Sequence, residues 1–227
     1  MDKIKIAFLG INDAGRRIYD LLVDRGEEVL CLLTEKEELK LIEQMKPDIV
    51  ISCGFRYVVP ANIRRIPPRG CINIHSSYLP YNRGANPNVW SIIENTPAGV
   101  SIHFMDDGID TGAIIVRRRI DVSFSDNAKD VYKKLEDAQI GLFGEMWEQI
   151  KQGSINPIKQ EKGEGTFHMV KDFEELCQIE LDKQYTGREL LNRLRALTFS
   201  PYDNAYVIIS GKKFYLRLEI YSGKERN

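Results

Sequence analysis

Six short apolar runs punctuate the first 122 residues: "KIKIAFLG", "EEVLCLLT", "PDIVISCG", "CINIHSS", "AGVSIHFM" and "AIIVRRRIDV". Runs this brief, bounded by Gly, Pro or polar residues, suit buried strands better than helices. Between the first two, Ile18, Leu21 and Leu22 recur at helical spacing in "INDAGRRIYDLLVDRG", and Gly26 is a natural stop. "KEELKLIEQMK" predicts a short helix with a polar face, and "NVWSIIEN" predicts another. Val131, Leu135, Ala138, Leu142 and Met146 predict one long amphipathic helix over residues 127–151. Strands alternating with helices indicate an α/β class: a Rossmann-like, mainly parallel sheet covered on both sides.

The pattern changes at "KQGSINPIKQEKGEGTFH", a polar, glycine-bearing stretch that reads as a connector. Beyond it, "TGRELLNRLRALT" predicts a helix with Leu190, Leu191, Leu194 and Leu197 on one side. "AYVIISGKKFYLRLEIYS" alternates about Ser210-Gly211 and predicts a β-hairpin. The expected organisation is a unit over residues 1–152 and a short helix-plus-hairpin region over 153–227.

Charge and cysteine usage narrow the class. Lys and Arg total 32 against 33 Asp and Glu, a net charge of −1, so nothing points to a nucleic-acid or anionic membrane partner. Cys31, Cys53, Cys71 and Cys177 show no CxxC spacing and three lie in apolar runs, so free thiols and a cytoplasmic location are expected. The start of the chain lacks the apolar core of a signal peptide, and no stretch approaches a membrane span.

Three segments carry candidate chemistry. In "CINIHSSYLPYNRGANP", Asn73 and His75 alternate with Ile72 and Ile74, so a strand there puts both polar side chains on one face. Their Cα atoms would lie roughly 6.5–7 Å apart. A lone strand histidine is usually a satisfied core residue, and His103 in "SIHFM", with no polar partner in its strand, is read that way. A polar pair near a strand end, where ligands sit in open α/β sheets, is read as a site. "MDDGIDTG", residues 105–112, is a poor calcium loop, because no closing Glu follows and Ile109 sits mid-loop. It can place one carboxylate beside the imidazole. "GINDAG" follows the first strand and opens the first helix, where an anion would be favoured. However, Asn12 replaces the second glycine of a dinucleotide fingerprint, and Arg16-Arg17 replace Lys-Ser/Thr of a Walker loop. A plain tight turn or a weak substrate contact remain the two readings there.

Taken together, "CINIHSSYLPYNRGANP" followed by "GVSIHFMDDGIDTG" resembles the folate-dependent formyltransferase family. Its marks are Asn-x-His, a Leu-Pro-x-x-x-Gly loop and an Asp-x-Gly-x-Asp-Thr-Gly loop, all present here in order. Thirty-five residues separate His75 from Asp110, and the match spans about residues 1–152. The segment after the second strand is shorter than is usual in the family. The tail looks like the short C-terminal region of sugar N-formyltransferases, rather than the basic barrel of methionyl-tRNA formyltransferases.

The resemblance implies a transfer from 10-formyltetrahydrofolate, without metal, to the amine of a nucleotide-linked amino sugar. It implies a catalytic trio of Asn73, His75 and Asp110, with Asn73 and a protonated His75 donating to the oxyanion. Folate contacts are expected from Phe55, Arg56, Tyr57 and Val58, and from Asp106, Asp107, Gly108 and Ile109. Acceptor contacts are expected from the Gly10, Ile11, Asn12 turn, and from Ser76, Ser77, Tyr78 and Arg83. In the tail, Arg195, Phe199, Tyr202 and Tyr206 supply a cation and aromatic faces for a nucleotide; Phe199 and Tyr206 equally suit a core or dimer contact. A homodimer is expected through the hairpin's exposed edge.

Overall fold

Ile6 to Leu9 and Ile49 to Ile51 are almost wholly buried, the mark of strands covered on both faces. The computed structural model describes residues 3–10 and 12–223. In chain order the first part comprises β1 (Lys5–Leu9), α1 (Asp13–Asp24), β2 (Glu28–Leu33), α2 (Leu41–Met45), β3 (Ile49–Ser52), α3 (Ala61–Arg64) and β4 (Cys71–His75). It continues with β5 (Arg83–Gly84), α4 (Pro87–Ile93), β6 (Gly99–Phe104), β7 (Ile114–Arg119) and α5 (Ala128–Gln152). The second part holds β8 (Phe167–His168), α6 (Val170–Cys177), α7 (Gly187–Leu197), β9 (Thr198–Phe199), β10 (Tyr202–Asp203), β11 (Tyr206–Ile209) and β12 (Lys212–Tyr215).

The central sheet has the order β2-β1-β3-β4-β6-β7. Its first four strands are parallel, whereas β6 runs antiparallel to both β4 and β7. On one face, Phe8, Ile51, Ile72, Ile74 and Ile102 pack beneath Ile18 and Leu22 of α1 and Leu135, Phe143 and Trp147 of α5. The opposite face is divided. Over β1, β3 and the start of β4, residues Leu39, Ile42 and Ile63 cover Ala7, Leu9, Val50 and Cys71. Over β4 and β6, the alternate positions are Asn73, His75, Ser101 and His103, and loops cover them instead of a helix.

Local chemistry explains most boundaries. Asn12 caps α1 by accepting from the Gly15 N–H, and Asn127 opens α5 with a capping box to Asp130. Gly10, at φ +92°, lets β1 abut the exit of β3: a Cβ there would lie 2.4 Å from the Cys53 carbonyl oxygen. Ser210 and Gly211, at φ 50° and 75°, form the tight turn predicted for the hairpin.

The structure departs from the pattern in four places. The single helix expected in "KEELKLIEQMK" is a 3-10 turn, Lys36–Lys40, followed by α2. It ends at Lys46 in a left-handed conformation, where the following Pro47 disfavours further helix. The connector is ordered: Ile158 bridges Ile114, and β8 pairs with β5. A helix not expected, α6, contributes Phe173 and Leu176 to the packing, too few apolar positions to show a period. Leu191 is 37% exposed rather than on the apolar side of α7, which instead buries Arg195, Ala196 and Leu197 at its end. Among the described residues, no helix is long and apolar enough to cross a membrane.

Phe143 is fully buried between α5 and the sheet. Phe143→Ala should cost about 3–5 kcal/mol of unfolding free energy in urea titrations. Leu191→Ala should cost less than about 1 kcal/mol in the monomeric unfolding step. Equal losses would contradict the burial assigned to the two positions.

Candidate active site

Register brings the polar residues together. In the antiparallel β4–β6 pair, Asn73 lies opposite His103 and His75 opposite Ser101, so all four share the face that loops cover. The loop after β6 folds back and carries Asp110 onto that face. Its carboxylate is the hub. Oδ1 accepts from the Asn73 amide at 3.3 Å and lies 3.4 Å from His103 Nε2. Oδ2 accepts from the Gly84 N–H at 3.0 Å and lies 3.5 Å from His75 Nε2. His103 Nδ1 donates to the Phe104 carbonyl at 2.8 Å, which leaves Nε2 to accept from the second Asn73 N–H at 3.4 Å. His103 therefore has polar partners from neighbouring elements, contrary to its reading as an isolated core histidine.

Burial and charge act oppositely on this cluster. Burial works against ionising Asp110, but the neighbouring His75 and His103 and the Gly84 N–H outweigh it and hold the carboxyl well below the usual range. For His75, burial is the largest influence and lowers its affinity for a proton; His103 adds to this, while Asp110 and the Asn82 carbonyl oppose it. The resting site thus contains an ionised Asp110 beside a neutral His75. The protonated His75 expected to donate to the oxyanion is then a state reached during transfer and not the resting one. His75 Nε2 lies 3.3 Å from the Asn82 carbonyl oxygen, which can only accept, so that nitrogen carries the ring proton.

A cavity of about 860 Å³ opens on the cluster. Asn73, His75, Ser76 and Asp110 line it, with Phe55, Arg56, Tyr57 and Val58 on one side and Asp106, Gly108 and Ile109 on another. Val58 and Ile109 are respectively 73% and 49% exposed, so they offer apolar walls at the mouth. Asp107 is not among the lining residues; it points outward and pairs with Arg64, whose guanidinium does reach the cavity. Asn12, Asn86, Asn88, Tyr132 and Phe173 are shared with a second lobe of about 1150 Å³. That lobe is lined by Phe199 and Tyr202 together with Arg16, Lys129 and Lys133.

Other expected acceptor contacts lie elsewhere. Gly10 is fixed against Cys53, and its N–H donates to the Leu33 carbonyl. Ile11 lies outside the described residues. The N-terminus of α1 already has polar and anionic neighbours: Asn12 accepts from the Gly15 N–H, and Glu136 of α5 stands close by. Burial nevertheless raises the Glu136 carboxyl. Ser77 is buried and its carbonyl accepts from Ser101. Tyr78 lies under the Arg117 guanidinium, and Arg83 bonds to Gln160 and the Glu164 carbonyl. Arg195, 7% exposed, donates to the Ser123 and Asp126 carbonyls and so faces no cavity. Tyr206 packs in the C-terminal cluster, against Cys177 and Leu197.

Two glutamines hold the site, and neither was singled out from sequence. Gln139, 3% exposed, reaches from α5 through the apolar layer and donates to the Ile74 carbonyl at 2.9 Å, between the two site residues of β4. Its position between Leu135 and Leu142 on the apolar stripe was a visible signal. Gln160 belongs to the segment read as a connector, where nothing periodic marks it. Among the described residues, no group of three or more His, Cys, Asp or Glu is arranged to hold a metal ion.

Comparison with known proteins identifies the family. A family profile described as "Formyl transferase" matches residues 31–145, and one described as "N-formyltransferase dimerization C-terminal domain" matches residues 172–222. A dTDP-4-amino-4,6-dideoxyglucose formyltransferase of Mycobacterium tuberculosis is 37% identical over 172 residues, 75% of this chain and 72% of its own length. A 4-N formyltransferase of Francisella tularensis is 30% identical and superposes with a TM-score of 0.86 over 96% of this chain and 98% of its own. A formyltransferase of Anoxybacillus kamchatkensis, in complex with UDP-4,6-dideoxy-4-formamido-L-AltNAc and tetrahydrofolate, is 35% identical. It superposes with a TM-score of 0.70 over 85% of this chain and 98% of its own.

The buried, neutral His75 should titrate below 6.5, its ordinary value, in an NMR titration assigned with His75→Gln. Between the folded and unfolded values the unfolded chain binds the extra proton, so stability should fall as pH drops through 6.5. The urea midpoint should decline from pH 7 to pH 5, and less steeply in His75→Gln. A ring that titrates above 6.5 would refute the neutral resting state.

Proposed function

We propose, from the premise that this chain belongs to the formyl transferase family, that it formylates the 4-amino group of a nucleotide-linked 4,6-dideoxy sugar, with 10-formyltetrahydrofolate as donor. The observation that carries this reading is the Asp110 carboxylate contacting both Asn73 and His75 at the wall of a two-lobed cavity. Two relatives of at least 30% identity support the position: one is named a 4-N formyltransferase, the other a dTDP-4-amino-4,6-dideoxyglucose formyltransferase. A third is bound to tetrahydrofolate beside a UDP-linked 4-formamido sugar. A dTDP sugar is therefore the favoured acceptor, destined for a surface polysaccharide.

The first lobe fits the folate. Its walls combine the apolar Val58 and Ile109 with the polar Asp106 and the backbone of Gly108, suiting a flat heterocycle with polar edges. The folate supplies an activated formyl carbon on N10; the sugar amine forms the new C–N bond, the bond to N10 breaks, and the proton lost by the amine ends on N10. Asn73 turns an amide N–H from His103 or Asp110 toward the developing oxyanion. Neutral His75 takes up a proton as the amine acidifies, and ionised Asp110 beside it stabilises the imidazolium. In the second lobe, Phe199 and Tyr202 offer faces for the base, while Lys129 and Lys133 bring positive charge for the diphosphate.

Two copies of the chain are inferred to associate through the C-terminal hairpin. The matched C-terminal profile is a dimerization domain, and Ile208, Ile209, Phe214 and Tyr215 of β11 and β12 are each about half exposed. Charged initiator tRNA is a less suitable acceptor, since a net charge of −1 offers little attraction to its phosphates.

Tetrahydrofolate release should be fast with dTDP-4-amino-4,6-dideoxyglucose, slower with its UDP counterpart, and weak with the free amino sugar. Comparable turnover of glycinamide ribonucleotide or charged initiator tRNA would overturn the acceptor assignment. His75→Ala and Asp110→Ala should each lower kcat by at least about 10²-fold, and Asn73→Ala should lower kcat more than it weakens folate binding. Near wild-type rates in all three would remove the trio. Tyr202→Ala should raise the sugar-nucleotide KM with kcat little changed, and chelator treatment should leave the rate intact.

A further inference from the structure

We propose that Gln160 is a positioning residue for the transfer reaction, which locks the Asp110 loop to the loop that follows β4. The inference rests on the function proposed above, and it concerns a residue with no place in the cavity wall. Gln160 lies on the strap between α5 and β8, and its side-chain amide is fully engaged. Nε2 donates to the Asp110 carbonyl at 2.9 Å and to the Gly112 carbonyl at 2.7 Å. Oε1 accepts from Arg83 Nε at 3.1 Å and from Nη2 at 2.8 Å.

These contacts fall on either side of the hydrogen bond that matters most to the carboxylate. Gly84, next to Arg83, donates its N–H to Asp110 Oδ2. Gln160 thus grips the residue before the donor and the backbone of the acceptor residue. Asp110 is itself in the left-handed region, at φ 54°, a conformation uncommon outside glycine, though Asp tolerates it better than most residues. The paired carbonyls of Asp110 and Gly112 are what the Gln160 amide holds. The strap is anchored nearby: Arg83 pairs with Phe167 and Gly84 with His168, and Thr166 is hydrogen-bonded to Asn82, whose carbonyl faces His75. A side chain of this kind acts on the rate through placement of Asp110, because misplacing a reacting group by about 1 Å costs on the order of 10²-fold.

The test compares Gln160→Met, similar in length but unable to make these four hydrogen bonds, with Gln160→Glu, which keeps the acceptor for Arg83 and loses the donors. Steady-state rates with the dTDP amino sugar and 10-formyltetrahydrofolate should show kcat lowered by about 10²-fold in Gln160→Met and both KM values within about twofold. The decisive readout is a double-mutant cycle with Asp110→Asn, followed in single turnovers. In that background Gln160→Met should cost less than about twofold, since a positioning residue loses its effect when the group it positions is gone. An undiminished loss in the Asp110→Asn background, or a kcat within twofold of wild type in Gln160→Met, would refute the proposal. Should Gln160→Met fail to fold, Gln160→Glu takes its place in the same cycle with the same outcomes. Asp110→Asn with near wild-type activity would refute the trio itself, whereas an inactive Asp110→Asn beside a fully active Gln160→Met refutes only the role of Gln160.

Discussion

The ionised carboxylate of Asp110 is the contact on which the site depends. It is almost wholly withdrawn from solvent, where an unpaired charge would be costly, and it is stable there because four groups surround it. Those groups come from three places: Asn73 and His75 from β4, His103 from β6, and the Gly84 N–H from β5 in the segment after β4. One charge therefore sets the relative position of two strands and two loops. It also makes a neutral His75 able to accept a proton, because the imidazolium would form beside a full negative charge rather than in a bare apolar pocket. Burial keeps the ring neutral at rest, and Asp110 limits the cost of charging it.

The sheet makes room for this arrangement by leaving half of one face without a helix. Over β1 and β3 that face is sealed by the apolar contacts of α2, α3 and the preceding 3-10 turn. Over β4 and β6 it bears polar side chains and is closed by loops, which need their own fixed hydrogen bonds. The segment after α5 provides them, crossing back over the molecule to pair β8 with β5 and to place Thr166 and Gln160. A stretch with the composition of a linker thus serves as a brace. The two lobes of the cavity meet at Asn12, Asn88 and Tyr132, so a donor in one and an acceptor in the other would share a short polar boundary. Burial and Glu136 push the Tyr132 phenol up to about 12, so it faces that boundary as a neutral group.

The family relation extends across both parts of the chain, with the 4-N formyltransferase of Francisella tularensis covering 96% of it. The likeness constrains the fold more tightly than the substrate, and the acceptor contacts proposed for this chain lie in the second lobe and the tail. There the expectation from sequence was divided. Phe199 and Tyr202 do line the lobe, whereas Arg195 is buried against backbone carbonyls and Tyr206 packs in the C-terminal cluster. A basic residue at a helix end looks the same in sequence whether it faces a phosphate or neighbouring carbonyls.

What the sequence determined by itself was whatever depends on local period and local motif. Alternation put Asn73 and His75 on one side of β4, short apolar runs specified the buried strands, and Ser210-Gly211 specified the hairpin turn. The composition of the 105–112 loop offered a carboxylate for the imidazole, and the resemblance to the formyltransferase family singled out Asp110 among its three aspartates. Tertiary structure decided what depends on register between distant segments. The antiparallel pairing of β6 with β4 set His103 opposite Asn73, 30 positions away, and no period within either strand contains that fact. The same holds for Gln160, 50 residues beyond the carbonyl it binds, and for Glu136, which meets the N-terminus of α1 only because α5 packs against it. Side chains that act through long-range hydrogen bonds leave no pattern in the chain, because their partners are chosen by the fold and not by their neighbours in sequence.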